Sequence, residues 1–167
     1  KAAKALLIRG QALYFQAQVP AAFESLKAAT EADPAEARAF YYLARVMERL
    51  HMAGDPRGSP SAQEAAYLKA VCLRPDYAEA LGLLAWLYAT TDDPKLKKIK
   101  QAIPIAVRAA ELDPTPEVLD TLAECYFQDG QLQEALAAEQ RALAANPPER
   151  KYFEEQLRKF QAAVKKK

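Results

Sequence analysis

The segment RAAELDP at residues 108–114 recurs in similar form at three other places in the chain. Each copy begins with a basic residue, continues through small and apolar residues and ends in proline. The other copies are KAATEADP at residues 27–34, KAVCLRP at 69–75 and RALAANP at 141–147. Their prolines are separated by 41, 39 and 33 residues. A motif that returns at this spacing indicates a repeat protein, in which each repeat is one supersecondary unit.

Residue composition predicts that these repeats are helical. Alanine makes up about a fifth of the 167 residues, whereas valine, isoleucine and threonine are sparse, and helices favour this balance. Five glycines and eleven prolines divide the chain into several short helices, because proline is tolerated best at a helix boundary. Two cysteines are too few for a disulfide framework. The sequence therefore predicts an all-α protein.

Large, small and aromatic residues occupy fixed positions in the first half of each repeat, and alanines follow in the second half. The clearest copy has Leu119, Leu122, Ala123 and Tyr126, followed by Ala135 and Ala142. This pattern resembles the tetratricopeptide repeat (TPR) family. Small residues at facing positions allow paired helices to approach closely, while larger residues fill the space between repeats.

The resemblance implies a right-handed α-solenoid of four TPR-like helix-turn-helix units that form a single domain. The predicted units are residues 3–34, 35–75, 76–114 and 115–147, with a capping helix at 148–167. This last helix has apolar residues at helical spacing on a charged segment, as a solenoid cap requires. We expect the closing lysines, 165–167, to form a frayed end.

Two of the units are longer than a standard repeat. Residues 53–61 contain two prolines and two glycines and predict a long turn within the second unit. An extension near residues 90–94 includes Asp93, a candidate N-cap. The lysines that follow indicate either an anionic neighbour or a late helix start, because cations are unfavourable at a helix N-terminus, and we favour the late start. Pro104 predicts either a helix that begins a few residues earlier or a kink.

The sequence contains no pattern of catalytic or metal-ligating residues. Its single histidine, His51, has no nearby serine-aspartate or cysteine partner in the sequence. Glycine-rich phosphate loops and the usual spacings of metal-binding cysteines and histidines do not occur. We therefore expect no enzymatic activity, no cofactor and no metal.

The resemblance implies that the first helices line a concave groove that binds a peptide segment or a partner subunit. At the matching positions the second unit is basic and aromatic and the fourth is acidic, so the groove is predicted to be polarised in charge. Aromatic and arginine side chains are common anchors in interfaces. The predicted partner-binding residues are Tyr14, Phe15, Arg38, Tyr41, Arg45, Arg49, Trp86, Glu117, Asp120, Glu124 and Phe127. Trp86 has a second interpretation, as a packing residue between units, and the arginines could instead pair with Glu48 on a solvated face.

The groove does not match the carboxylate clamp with which some members of this family hold chaperone C-termini. Lysine, asparagine and arginine are needed at positions that here hold Leu7, Gln11, Tyr42, Glu79 and Leu83. Chaperone tails are therefore not expected as partners. The net charge of +1 and the acidic fourth unit argue against a nucleic-acid partner.

The sequence leaves open where the protein is located and which of its surfaces binds a partner. No apolar run approaches the roughly 18 residues that a membrane span needs, so we expect a soluble protein, cytoplasmic or exported after loss of an N-terminal segment. The alternative to groove binding is a structural subunit or oligomerisation module. Such a module would use the convex face, the long turns or the capping helix.

Overall fold

The computed structural model describes residues 1–165, and this part of the chain contains nine α-helices and no β-strand. The helices are α1 (Ala2–Phe15), α2 (Val19–Ala32), α3 (Ala37–Met52), α4 (Pro60–Leu73), α5 (Ala78–Thr90), α6 (Ile99–Leu112), α7 (Pro116–Gln128), α8 (Leu132–Ala144) and α9 (Arg150–Val164). The all-α prediction is confirmed. Lys166 and Lys167, which belong to the predicted frayed end, lie outside the described residues.

The chain divides into two compact units, Lys1–Ala80 and Leu81–Lys167, with the boundary inside α5. In the first unit α1 pairs with α2, α3 pairs with α4, and α2 packs against α3. In the second unit α6 packs against α7, α7 pairs with α8, and α8 packs against α9. No helix among residues 1–165 is long and apolar enough to cross a membrane.

Alanine and glycine occupy the places where helices come into closest contact. At Gly10 of α1, an added Cβ would lie 2.5 Å from the Cγ of Leu26 on α2. The alanines that are fully buried include Ala22, Ala44, Ala70, Ala102, Ala109, Ala123, Ala135 and Ala142. The recurring alanines are therefore contact residues, and their small size determines how closely the helices approach.

The long turn that the sequence predicts at residues 53–61 is compact. A one-turn 3-10 helix, Pro56–Gly58, lies within it, and α4 begins at Pro60. The backbone of Gly58 packs against the last turns of α3, where a side chain would collide with the carbonyl oxygen of Met47. Gln63 Nε2 donates a hydrogen bond to the Gly58 carbonyl oxygen at 2.7 Å. The insertion is thus ordered by α3 and α4.

The second extension ends where α6 begins, at Ile99, so the late helix start is confirmed. The expectation that Asp93 caps a helix is wrong, because Lys98 is the N-cap residue of α6. Asp93 instead accepts a hydrogen bond from the backbone N–H of Lys95 at 2.9 Å, within the connection. Pro104 lies inside α6, close to its beginning, as the first of the two alternatives predicts.

The contact between Gly10 and Leu26 generates a test of close helix packing. We predict that Gly10→Ala lowers the free energy of unfolding by about 1–2 kcal/mol, because overpacking outweighs the gain of about 1 kcal/mol in helix propensity. In a Leu26→Ala background the same substitution should be neutral or stabilising. Urea denaturation of the four proteins measures this coupling. A destabilisation that persists in the Leu26→Ala background would contradict the contact.

Candidate functional site

Aromatic side chains from α1 and α3 form one cluster in the first compact unit. The rings of Tyr14, Phe15 and Tyr42 lie edge to face, with centroids 5.4, 5.9 and 6.2 Å apart. Tyr41 extends the cluster, since its centroid lies 5.1 Å from that of Tyr42 and 4.9 Å from that of Tyr77. Edge-to-face and offset contacts of this kind are favourable beyond the area they bury. The rings therefore hold one another in place.

Two arginines of α3 lie against the same cluster. Arg49 Nη1 donates a hydrogen bond to the Tyr14 carbonyl oxygen at 2.7 Å, and its Cζ lies 3.8 Å from the centroid of the Tyr14 ring. Arg45 Nη1 donates to the Tyr41 hydroxyl at 3.2 Å. Burial raises the pKa of Tyr41 against the opposing attraction of Arg45, so this hydroxyl is neutral at physiological pH. Both guanidinium groups are thus partly immobilised before any partner binds.

The predicted groove residues of this unit differ in accessibility. Tyr14 and Tyr41 are buried, with 4% and 9% exposure, and support the surface from below. Phe15 is 71% exposed, Arg38 is exposed, and Tyr42 is partly exposed beside them. We refer below to the solvent-accessible set as the arginine–tyrosine surface, which comprises Phe15, Arg38, Tyr42, Arg45 and Arg49.

Acidic neighbours only partly neutralise this surface. Arg38 Nε lies 3.6 Å from Glu36 Oε1, and Arg45 Nε lies 3.6 Å from Glu48 Oε2. Pairs this long and this exposed contribute little stability. The Arg45–Glu48 pair is the helical pairing that the sequence allowed as an alternative.

The acidic residues predicted in the fourth repeat are engaged by α9. The Tyr152 hydroxyl donates a hydrogen bond to Asp120 Oδ2 at 3.0 Å. Lys159 Nζ donates to Glu124 Oε2 at 2.7 Å. Asp120 and Glu124 are buried, with 7% and 5% exposure. A partner could reach these carboxylates only by displacing α9.

The other two predicted residues of this repeat have different surroundings. Phe127 packs against Phe160 of α9, with ring centroids 5.0 Å apart, and the Lys159 ammonium lies 4.7 Å from the Phe127 ring. Glu117 is exposed in the first turn of α7. Trp86, on α5, is partly buried, and both of its interpretations stay predictions.

A third carboxyl lies beneath the two that α9 contacts. Glu139 of α8 is 0% exposed, and no donor within residues 1–165 reaches either of its oxygens. Burial, together with the neighbouring charge of Asp120, raises the pKa of Glu139 to about 8. Burial also raises the pKa of Asp120, against the hydrogen bond from Tyr152. Glu139 therefore keeps its proton at neutral pH and can share it with Asp120.

The sequence patterns did not identify three residues of this region, which are Glu139, Tyr152 and Lys159. Glu139 lies at helical spacing from the contact residues Ala135 and Ala142, which indicates a core position for its carboxyl. Tyr152 and Lys159 are seven residues apart and so lie on one face of α9. These spacings could have shown that the acidic face of α7 is covered from within the chain. In the part of the chain that the structure describes, no group of three or more His, Cys, Asp or Glu side chains is arranged to hold a metal ion.

Nearly all of the given sequence matches several solved helical-repeat proteins. It matches PilF from Pseudomonas aeruginosa with a TM-score of 0.76 and 19% identity, over 99% of this chain and 70% of PilF. It matches MamA from Desulfovibrio magneticus RS-1 with a TM-score of 0.70 and 16% identity, over 99% of this chain and 93% of MamA. It matches a thermophilic TPR protein from Thermus thermophilus with a TM-score of 0.54 and 24% identity, over 98% and 99% of the two chains.

The fold is an α-solenoid of the TPR type. All three identities are below 25%, so the likeness shows the fold alone. No protein-family model matches the sequence, and no curated protein matches it. The three-dimensional structure thus confirms the resemblance to the TPR fold that the recurring segments indicate.

The buried carboxyl of Glu139 predicts a pH-dependent stability. The folded protein holds this proton up to about pH 8, whereas an exposed glutamate releases it near 4.5, so stability falls as pH rises between these values. We predict that Glu139→Gln raises the free energy of unfolding near pH 9 by about 1–3 kcal/mol and has little effect near pH 5. Chemical denaturation across this pH range measures the difference.

The matched control is Glu134→Gln, which changes an exposed glutamate on the same helix. Its effect on stability should be small, because this side chain is exposed. Equal pH profiles for the two variants would show that Glu139 ionises normally in the folded protein.

Proposed function

We propose that the protein is a non-catalytic interaction scaffold that binds a peptide segment or a partner subunit through the arginine–tyrosine surface. Arg45 and Arg49 are held by hydrogen bonds to tyrosines 41 and 14, which are buried, and they lie near the exposed ring of Phe15. The proposal rests on this fixed arrangement. Preorganised aromatic and arginine groups lose little entropy on binding. The TPR-type fold supports the proposal at the level of architecture.

The chemistry of this surface favours a peptide that offers carboxylates or backbone carbonyls beside an apolar residue. Guanidinium groups donate forked hydrogen bonds to such oxygens, and Phe15 with Tyr42 provides apolar contact area. In the fourth repeat, the Glu124 carboxylate already accepts a hydrogen bond from Lys159 of α9. We therefore place the main contact on α1 and α3 and not on the acidic face of α7.

Site-specific photo-crosslinking in the native host tests this proposal. A photoreactive phenylalanine analogue is placed at Arg38, and a matched control is placed at Arg108 of α6, since these side chains have similar exposure, 48% and 56%. We predict a discrete crosslinked product from position 38 and none from position 108. Adding Tyr42→Ala should lower the yield at position 38 about tenfold, as the loss of a contact worth about 1.4 kcal/mol would.

Other crosslinking patterns would support the structural alternative. Products from position 108 without any from position 38 would indicate that another face binds the partner. Products that contain only a second copy of this chain would indicate an oligomerisation module, which light scattering over a range of concentrations would verify.

A further inference from the structure

The outward side of α1 carries a stripe of apolar residues in contact with solvent. Ala5, Ile8, Ala12 and Phe15 are spaced by three, four and three residues and so lie on one side of the helix. All four are exposed, with Ile8 at 55% and Phe15 at 71%. The opposite side of α1 packs into the core of the first compact unit. We refer to these four residues as the α1 stripe.

Equivalent positions are covered by a helix in the next repeat. Ala39 and Val46 of α3 follow Ala5 and Ala12 by 34 residues, the length of one repeat. Both are 0% exposed and belong to a core cluster that includes Leu26 of α2. The helix that lies against α3 is α2, the second helix of the preceding repeat.

The second compact unit shows the same arrangement. Val118 and Cys125 occupy the corresponding positions of α7 and are 6% and 0% exposed. The Cys125 thiol contacts the carbonyl oxygen of Ala85 on α5 at 3.8 Å, and α6 packs against α7. In each unit, therefore, the two positions of a first helix that match Ala5 and Ala12 are covered by helices of the repeat before it. The positions on α3 that match Ile8 and Phe15 are Tyr42 and Arg49, and both are only partly buried. The side of the α1 stripe that carries Ala5 and Ala12 thus corresponds to a helix-covered face, and it is uncovered within residues 1–165.

α9 differs from α1 in this respect. α9 buries Phe153 and Phe160 and turns Lys151, Glu155 and Arg158 towards solvent. A polar exterior of this kind allows a terminal helix to end a solenoid without aggregation. The outward side of α1 carries apolar side chains instead. Exposed apolar patches are typical of interaction surfaces.

Charge indicates what kind of helix fits the α1 stripe. Lys4 and Arg9 flank it on opposite sides, Lys1 precedes it, and α1 contains no acidic residue. Within residues 1–165 none of these three cations forms an ion pair. A second copy of α1 would bring like charges together, whereas glutamates beside an apolar face would complement them.

We propose that the α1 stripe binds an amphipathic helix with acidic flanks, supplied by a partner protein. The bound helix takes the place that α2 takes on α3, with its apolar face on Ile8 and Ala12 and its carboxylates beside Lys4 and Arg9. This second binding surface goes beyond the proposed function. The two surfaces share only Phe15, which the experiment leaves unchanged.

The probe is a fluorescein-labelled, hydrocarbon-stapled peptide of about four helical turns, with leucines along one face and glutamates on both sides of them. A second peptide carries lysines in place of the glutamates. Fluorescence anisotropy with the full chain should show binding of the glutamate peptide with at least about tenfold higher affinity than the lysine peptide. The combined variant Lys4→Glu/Arg9→Glu should reverse this preference.

Substitutions in the stripe locate the bound peptide. Ala12→Glu should weaken binding of the glutamate peptide about tenfold or more, because it places a charge in the apolar contact. Ile8→Gln is the second variant, and melting curves establish that both proteins fold. The control is Leu68→Glu, which changes an exposed leucine on α4 and should leave binding unaltered. Arg38→Glu, on the other surface, should also bind the peptide normally.

Three results would overturn the proposal. The first is equal affinity of the glutamate peptide for the wild-type chain and both stripe variants. The second is equal affinity of the two peptides for the wild-type chain. The third is a dimer in analytical ultracentrifugation that Ala12→Glu dissociates, which would identify a second copy as the occupant. Loss of the Arg38 crosslink with intact peptide binding would refute the proposed function alone.

Discussion

The structure depends on close contact between helices through alanine and glycine. A repeat of two helices buries too little apolar surface to be stable alone, so each must be covered by its neighbour. Gly10 against Leu26 and the fully buried Ala44 and Ala123 show how small side chains allow this approach. α3 and α7 each have one side covered by a helix of the preceding repeat, whereas the outward sides of α1 and α9 are exposed within residues 1–165.

The outward sides of α9 and α1 differ in chemistry. α9 covers the end of the second compact unit with two buried phenylalanines, and it uses Tyr152 and Lys159 to hold Asp120 and Glu124. This contact places three carboxyls in a small buried region, which is tolerable because one is paired with Lys159 and Glu139 stays protonated. Within residues 1–165 no such cover lies on the α1 stripe. The buried acidic groups of the fourth repeat therefore serve internal packing, and the surface that we propose for a partner consists of basic and aromatic groups of α1 and α3.

Much of the fold could be predicted from the sequence, because the recurring proline segments mark where each second helix ends and the buried alanines follow the TPR pattern. Local capping was less predictable: Asp93 looks like a helix N-cap, yet α6 begins only at Ile99, after the Lys98 backbone N–H has donated a hydrogen bond to the Tyr88 carbonyl oxygen. The candidate site was predicted only in part. Arg45 and Phe15 are at an accessible surface, but Asp120 and Glu124 are covered by a helix that is distant in sequence. Charge patterns in one helix do not show which other segment neutralises them.

In the structure, α9 covers the acidic face of the fourth repeat. Carbodiimide labelling of carboxyl groups in the native protein, read by mass spectrometry, tests it most directly. The structure predicts rapid modification of the exposed Glu117 and Glu134, and protection of the buried Asp120, Glu124 and Glu139 until the protein unfolds. Modification of Asp120 and Glu124 as fast as that of Glu117 would contradict the claim and would return these carboxylates to the partner-binding surface.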